Sequence, residues 1–147
     1  MSIEPRGRPD DRNPDPKRTF QAMPEDQTET VAVLGASPKP DRYAYRAMEM
    51  LRRHGHRPIP VNPAFQEVLG EPCYGSIADI PEKVETITMY LGRQRSDPLI
   101  EQIVAAKPRR IIMNPGAEND NLAAKARAAG IEVVEDCTLV MLQSGDF

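Results

Sequence analysis

The sequence predicts an α/β domain of three layers, a five-stranded, mostly parallel sheet with helices on both faces. Three observations predict it. Short apolar runs, of which Val31-Ala32-Val33-Leu34 is the clearest, suit strands buried on both sides rather than strands with one wet face. Stretches of helical period alternate with these runs, and connections of ordinary length join them. The 147 residues are enough to bury one sizeable core.

The elements follow in order. Residues 1–28 hold Pro5, Pro9, Pro14, Pro16 and Pro24 among alternating charges, with almost no apolar periodicity. That composition buries too little surface to offset the entropy of ordering, so a disordered proline-rich tail is expected there, ahead of a domain over 29–147. The first strand, 31–34, ends at Gly35. Ala44, Ala47, Met48 and Leu51 fall at i, i+3, i+4 and i+7 of a helix over 43–54, with Gly55 as its stop. The second strand is 57–61, where Pro58 and Pro60 suggest irregular pairing. A loop-rich stretch covers 63–74, and Pro81 closes a helical turn over 76–80. The third strand is 85–91, and Asp97-Pro98 reads as the N-cap and first turn of a helix carrying Ile100, Ile103 and Val104. A fourth strand over 110–113, a helix over 118–129 stopped by Gly130, a fifth strand over 132–134 and a short closing helix over 137–143 complete the chain.

Composition excludes several classes of partner. A net charge of −3 and a pI near 5.5 do not suit nucleic acid or an anionic membrane surface, which call for a basic excess over a whole face. Arg52, Arg53, His54, His56 and Arg57, like Lys107, Arg109 and Arg110, lie near helix ends, where cations complement the dipole; both histidines are expected at the surface. No apolar run approaches the roughly 20 residues of a membrane span, and the N-terminus lacks the apolar core of a secretory signal, so a cytoplasmic protein is expected. Cys73 and Cys137 make neither a disulfide framework nor, with two histidines, a metal constellation. Cys137 reads as a small buried hydrophobe.

In a doubly wound sheet the ligand lies over the carboxyl ends of the strands, near the point where strand order reverses. That rule gathers four loops: 35–45, Asn62-Pro63, 90–93 and Asn114-Pro115-Gly116. In the first, Gly35 allows a tight turn, and the turn and helix start offer backbone N–H groups and a positive dipole end to a phosphate. Ser37 adds a hydroxyl, Pro38 and Pro40 stiffen the loop, and Lys39, Arg42 and Arg46 supply charge. Asn62 can bond a base or sugar, Asn114 presents an amide, and Tyr43, Tyr45 and Tyr90 offer rings to flank a nucleotide. The second strand ends without the carboxylate that an NAD site uses on the ribose, and a neutral loop accepts a phosphorylated ribose such as that of NADP or coenzyme A. This is a Rossmann-like fold suited to a nucleotide other than NAD. No nucleophile elbow, HExxH or acid/base pair stands on that face, which favours binding over turnover.

Together Gly35-Ala-Ser-Pro-Lys-Pro-Asp-Arg-Tyr43, Ile59-Pro-Val-Asn-Pro63, Ile80-Pro-Glu-Lys-Val84, Asn114-Pro-Gly-Ala-Glu-Asn119 and Cys137-Thr-Leu-Val-Met-Leu142 give the chain a family likeness. It resembles the small single-domain CoA-binding proteins, whose fold is similar to the nucleotide-binding domain of the succinyl-CoA ligase α subunit. The resemblance implies coenzyme A or an acyl-CoA as ligand, with Gly35, Ala36, Ser37, Pro38, Lys39 and Pro40 cradling its phosphates and Val61, Asn62 and Pro63 beside the nucleotide. It further implies that Leu91, Gly92, Arg93, Asn114, Pro115 and Gly116 line the rest of the cleft. It implies no reaction of its own, so the leading expectation is a regulatory or carrier module. A small NADP-dependent oxidoreductase, and an interaction protein with a decayed nucleotide site that uses its proline-rich tail, are the alternatives.

Overall fold

The computed structural model describes residues 28–147; the tail expected over 1–28 lies, but for Thr28, outside the described residues. Five strands form one sheet in the order β2-β1-β5-β6-β7, and every neighbouring pair is parallel. They are β1 (Thr30–Leu34), β2 (Arg57–Val61), β5 (Thr86–Met89), β6 (Arg110–Met113) and β7 (Glu132–Glu135). Helices α1 (Tyr43–Arg53) and α5 (Thr138–Ser144) pack together, as do α3 (Ile100–Ala105) and α4 (Asp120–Ala128).

Alternation along β1 explains the two faces. Val31 and Val33 join Met48 and Leu51 of α1 and Leu142 of α5 in one apolar cluster, whereas Ala32 and Leu34 join Ile100, Ile103, Leu122 and Ala126 in the other. Each face of the sheet is thus dry, which is why β1 is apolar from Val31 to Leu34. α1 ends in a pair of bonds, Gly55 N–H to Arg52 O (3.0 Å) and His56 N–H to Leu51 O (2.9 Å). α4 ends the same way at Gly130 and Ile131.

β2 is more regular than its prolines suggest. All five residues keep parallel register with β1, from Thr30 opposite Arg57 to Leu34 opposite Val61. The prolines are tolerated because β2 is an edge strand. Residues 63–74 are not only loop: β3 (Glu67–Val68) and β4 (Glu71–Pro72) form an antiparallel hairpin. Its turn residues, Leu69 and Gly70, both have positive φ (53° and 79°), the geometry of a type I′ turn. Arg52 holds the hairpin to α1, donating to Leu69 O (2.6 Å) and to Glu71 (3.2 Å).

Helical structure begins earlier than Asp97-Pro98. The short α2 (Arg93–Ser96) starts from Gly92 and runs through a 3₁₀ turn (Asp97–Leu99) into α3. Asn119 then caps α4, accepting from Leu122 N–H (3.1 Å) while its amide donates to Ser96 (2.8 Å) and Asp97 (2.9 Å). This cap ties α4 to the segment above β5.

At the amino ends of the strands, two expectations are corrected. Arg110 is a buried strand residue, not a solvated helix-end cation. It bonds Glu29 (3.3 Å), Thr86 (3.1 Å) and Phe147 O (3.2 Å), and its guanidinium lies 4.3 Å from the Phe147 ring centre. His56 is also buried, with its ring 4.8 Å from that of Phe147 and its Nδ1 accepting from the Glu29 backbone N–H (3.1 Å). Burial holds the His56 pKa below its ordinary value, with the Glu29 carboxylate partly opposing it. The unfolded chain therefore takes up this proton at a higher pH than the folded chain does. Stability from His56 is complete above about pH 6.5 and is lost as pH falls below it. Urea midpoints measured from pH 7.5 to 5 are expected to fall for the unaltered chain and to flatten in His56→Gln.

Candidate functional site

The strand order reverses between β1 and β5, and the chain leaves these two strands toward opposite faces. α1 follows β1 on one side, and α2 and α3 follow β5 on the other. The parting loops nearly touch at Gly35, which has φ 93°. A Cβ there would sit 3.0 Å from Leu91 Cδ2 and 3.1 Å from the Tyr90 carbonyl. Above this point lies a cleft of about 480 Å³.

The turn itself gives little to a ligand. The N–H groups of Gly35 and Ala36 both point to Val61 O (3.0 and 3.3 Å), and Asn62 donates to Ala36 O (2.9 Å). These bonds lock the β1 loop to the end of β2. The open donors come one step later. Arg42 occupies the N-cap of α1 without a capping side-chain bond, and the first turn holds no acidic residue. The first N–H groups of a helix have no intrahelical partner, so this end of α1 carries unspent donors and positive dipole. Arg42, Tyr43 and Ala44 line the cleft beside it.

The charge of the cleft has one sign. Among the described residues Lys39, Arg42 and Arg95 line it, and no carboxylate does. Its apolar surfaces come from Phe65, Tyr90, Leu91, Pro115 and Ala117. Two smaller pockets adjoin it. One of about 200 Å³ continues past Asn62 to Val61, Pro63, Ser76 and Gln102; the other, about 230 Å³, shares Tyr43, Tyr90 and Pro115 with the cleft.

A strand-switch cleft walled by cations and rings has the chemistry to suit an anionic ligand, and many families share that arrangement. The sequence narrows it, because the model of the CoA binding domain matches residues 29–143. The chain belongs to the CoA-binding domain family. The acetate–CoA ligase (ADP-forming) I of Archaeoglobus fulgidus is 42% identical over 72 residues, which cover 49% of this chain and 10% of the ligase. The domain thus spans a small part of that relative's length. A crystal structure of an uncharacterized protein superposes with TM-score 0.77 at 42% identity, covering 82% of this chain and 98% of the other. The cell-free ID.343 protein of Thermus thermophilus superposes with TM-score 0.76 at 30% identity, over 88% and 96%.

In this CoA-binding domain the residues singled out in the sequence divide into three groups. Gly35, Ala36, Ser37, Lys39, Tyr43, Asn62, Leu91, Pro115 and Gly116 line the main cleft, and Val61, Pro63 and Asn114 line the adjoining pockets. Pro38, Pro40, Tyr45, Arg46, Gly92 and Arg93 fall outside the lining. Arg46 instead lies over the Tyr43 ring (5.6 Å), and Arg93 reaches Asp97 (3.9 Å).

Asn62 and Asn114 face the cleft region but spend their amides on the protein. Asn62 Oδ1 accepts from Ala64 N–H (2.8 Å). Asn114 donates to Thr88 (2.8 Å) and Met89 O (2.7 Å) and accepts from Thr138 N–H (2.8 Å), joining β5, β6 and α5. These are positioning residues for the loops.

Arg95 was missed. It sits in the polar first turn of α2, where no apolar period marks a helix, and the fold places it in the cleft lining while Arg93, two residues earlier, falls outside. Tyr90 is a second wall residue of note. Burial pushes its phenol up to about 12, so it stays neutral. Its hydroxyl lies near those of Thr138 and Thr88, which partly offset that burial, without closing a well-formed bond. Cys73 packs under the hairpin, and burial raises its thiol pKa.

Proposed function

We propose that this domain binds coenzyme A or an acyl-CoA in the strand-switch cleft and holds it without chemistry of its own, as a carrier or sensor. The observation that carries the reading is the charge of the cleft: among the described residues, three cations, an uncapped helix start and no carboxylate. Coenzyme A has a diphosphate and a further phosphate on its ribose, and a cavity of this charge favours such a ligand over one with fewer phosphates. Membership of the CoA-binding family supports the same choice. The diphosphate belongs at the start of α1 near Ser37, with Lys39, Arg42 and Arg95 around it. The adenosine belongs toward Asn62 and Phe65 at the β2 edge, and the pantetheine arm over Leu91 and Pro115. Among the described residues the lining supplies cations and hydroxyls rather than histidine or carboxylate, a set suited to holding an anion.

Calorimetric titration with coenzyme A, dephospho-CoA, NADP and NAD tests this. The expected order places coenzyme A first and dephospho-CoA clearly weaker. Tight NADP binding with no response to coenzyme A would move the assignment to the oxidoreductase class. Lys39→Gln and Arg95→Gln are each expected to weaken coenzyme A by about tenfold at low salt and less at high salt. Arg93→Gln, outside the lining, is expected to leave the affinity unchanged.

A further inference from the structure

The pocket on the β6 side of the cleft differs from it in kind. Among the described residues it is formed by Tyr43, Tyr90, Asn114, Pro115, Cys137 and Leu139, with a volume of about 230 Å³ and no charged side chain. Its polar capacity is small. The Asn114 amide is consumed by Thr88, Met89 and Thr138, and the Tyr90 hydroxyl is itself buried, which leaves the Tyr43 hydroxyl and the Cys137 thiol. The same Asn114–Thr138 bond fixes where α5 starts, so the pocket walls are set before a ligand arrives. Tyr43 is 66% exposed, which leaves apolar surface uncovered at the mouth.

We infer that this pocket receives the acyl group of a short-chain acyl-CoA, so that the ligand is a thioester rather than free coenzyme A. The inference rests on the reading of the main cleft as the coenzyme A site. The two spaces share Tyr43, Tyr90 and Pro115, so a chain running along the cleft past these residues enters the pocket directly. The opposite pocket, beside β2, has Arg95, Ser76 and Gln102 in its walls and suits the base and sugar instead. The alkyl part meets Leu139, Pro115 and the rings of Tyr43 and Tyr90. The volume suits a few carbons, since one water occupies about 30 Å³ of liquid.

Titration of the unaltered chain with 3′,5′-ADP, coenzyme A, acetyl-CoA, butyryl-CoA and octanoyl-CoA tests the inference. Affinity is expected to rise from acetyl to butyryl by about fourfold per buried methylene, with no further gain at octanoyl. Leu139→Trp, which fills the pocket, is expected to abolish the acyl gain and leave 3′,5′-ADP and coenzyme A binding unaltered. Equal affinity for coenzyme A and all three esters would overturn the acyl pocket alone. No binding of coenzyme A or 3′,5′-ADP would overturn the cleft assignment and this inference with it. The chain-length series on the unaltered protein decides the matter even if the tryptophan variant does not fold.

Discussion

Gly35→Ala is expected to destabilise the domain by about 3 kcal/mol and to weaken coenzyme A binding at least tenfold. Two costs add. Alanine at φ 93° is strained by roughly 1–2 kcal/mol. Its Cβ also presses on the Tyr90 carbonyl and Leu91, at 3.1 and 3.0 Å, and overpacking of that kind costs about 1–3 kcal/mol. The Tyr90 contact is backbone, and Tyr90 N–H is bonded to Leu34 O (2.9 Å), so the neighbour cannot simply rotate away. Relief comes only by parting β1 from β5, which opens the floor of the cleft and carries the start of α1 away from Arg95. Gly116→Ala is the matched control: its φ is 91°, but among the described residues beyond its chain neighbours nothing lies within 4 Å of the added carbon. It is expected to show the strain without the clash. Urea denaturation and calorimetry of both variants check the difference, and equal losses would remove the close approach from the explanation.

Glu29→Gln is expected to cost about 3 kcal/mol while leaving coenzyme A affinity unchanged. Glu29 and Arg110 are 13% and 7% exposed at their side chains and 3.3 Å apart. Breaking a buried pair from one side leaves the other charge in a poorly hydrated place, and that penalty is several kcal/mol. The Glu29 carboxylate also accepts from Arg109 (2.6 Å) and from the Thr86 hydroxyl, so one carboxylate gathers the amino ends of β1, β5 and β6. The double variant Glu29→Gln/Arg110→Met is expected to recover part of the loss, because neither charge is then stranded. The network sits at the strand ends opposite the cleft, which is why binding is unaffected. A fall in affinity matching the fall in stability would show that the two ends are coupled.

The α/β pattern was legible because burial leaves a strong record. β2 and β6 lie where their apolar residues and punctuating prolines and glycine put them, and α1 follows its i, i+3, i+4 period to Gly55. The hairpin at Leu69-Gly70 was not legible, since two-residue strands have no periodicity and Leu-Gly is not a usual I′ pair. α2 was hidden because Arg93-Gln94-Arg95-Ser96 carries no apolar residue. The site divides the same way. Topology alone brings the four loops together, but a residue's type does not say whether its hydrogen bonds are already spent. Asn62 and Asn114 look like ligand donors in the sequence and are clamps in the fold. His56 and Arg110 look like surface cations and are buried, because their partners Glu29 and Phe147 lie 27 and 37 residues away in the chain.

The most direct measurement is an amide NMR titration of the full chain with coenzyme A. The largest shifts are expected at Ser37, Tyr43 and Ala44, with smaller ones at Leu91, Arg95 and Gly116 and none around Glu29, His56 and Arg110. Shifts centred on the Glu29 end of the sheet, or none at a saturating concentration, would contradict the placement of the phosphates at the start of α1.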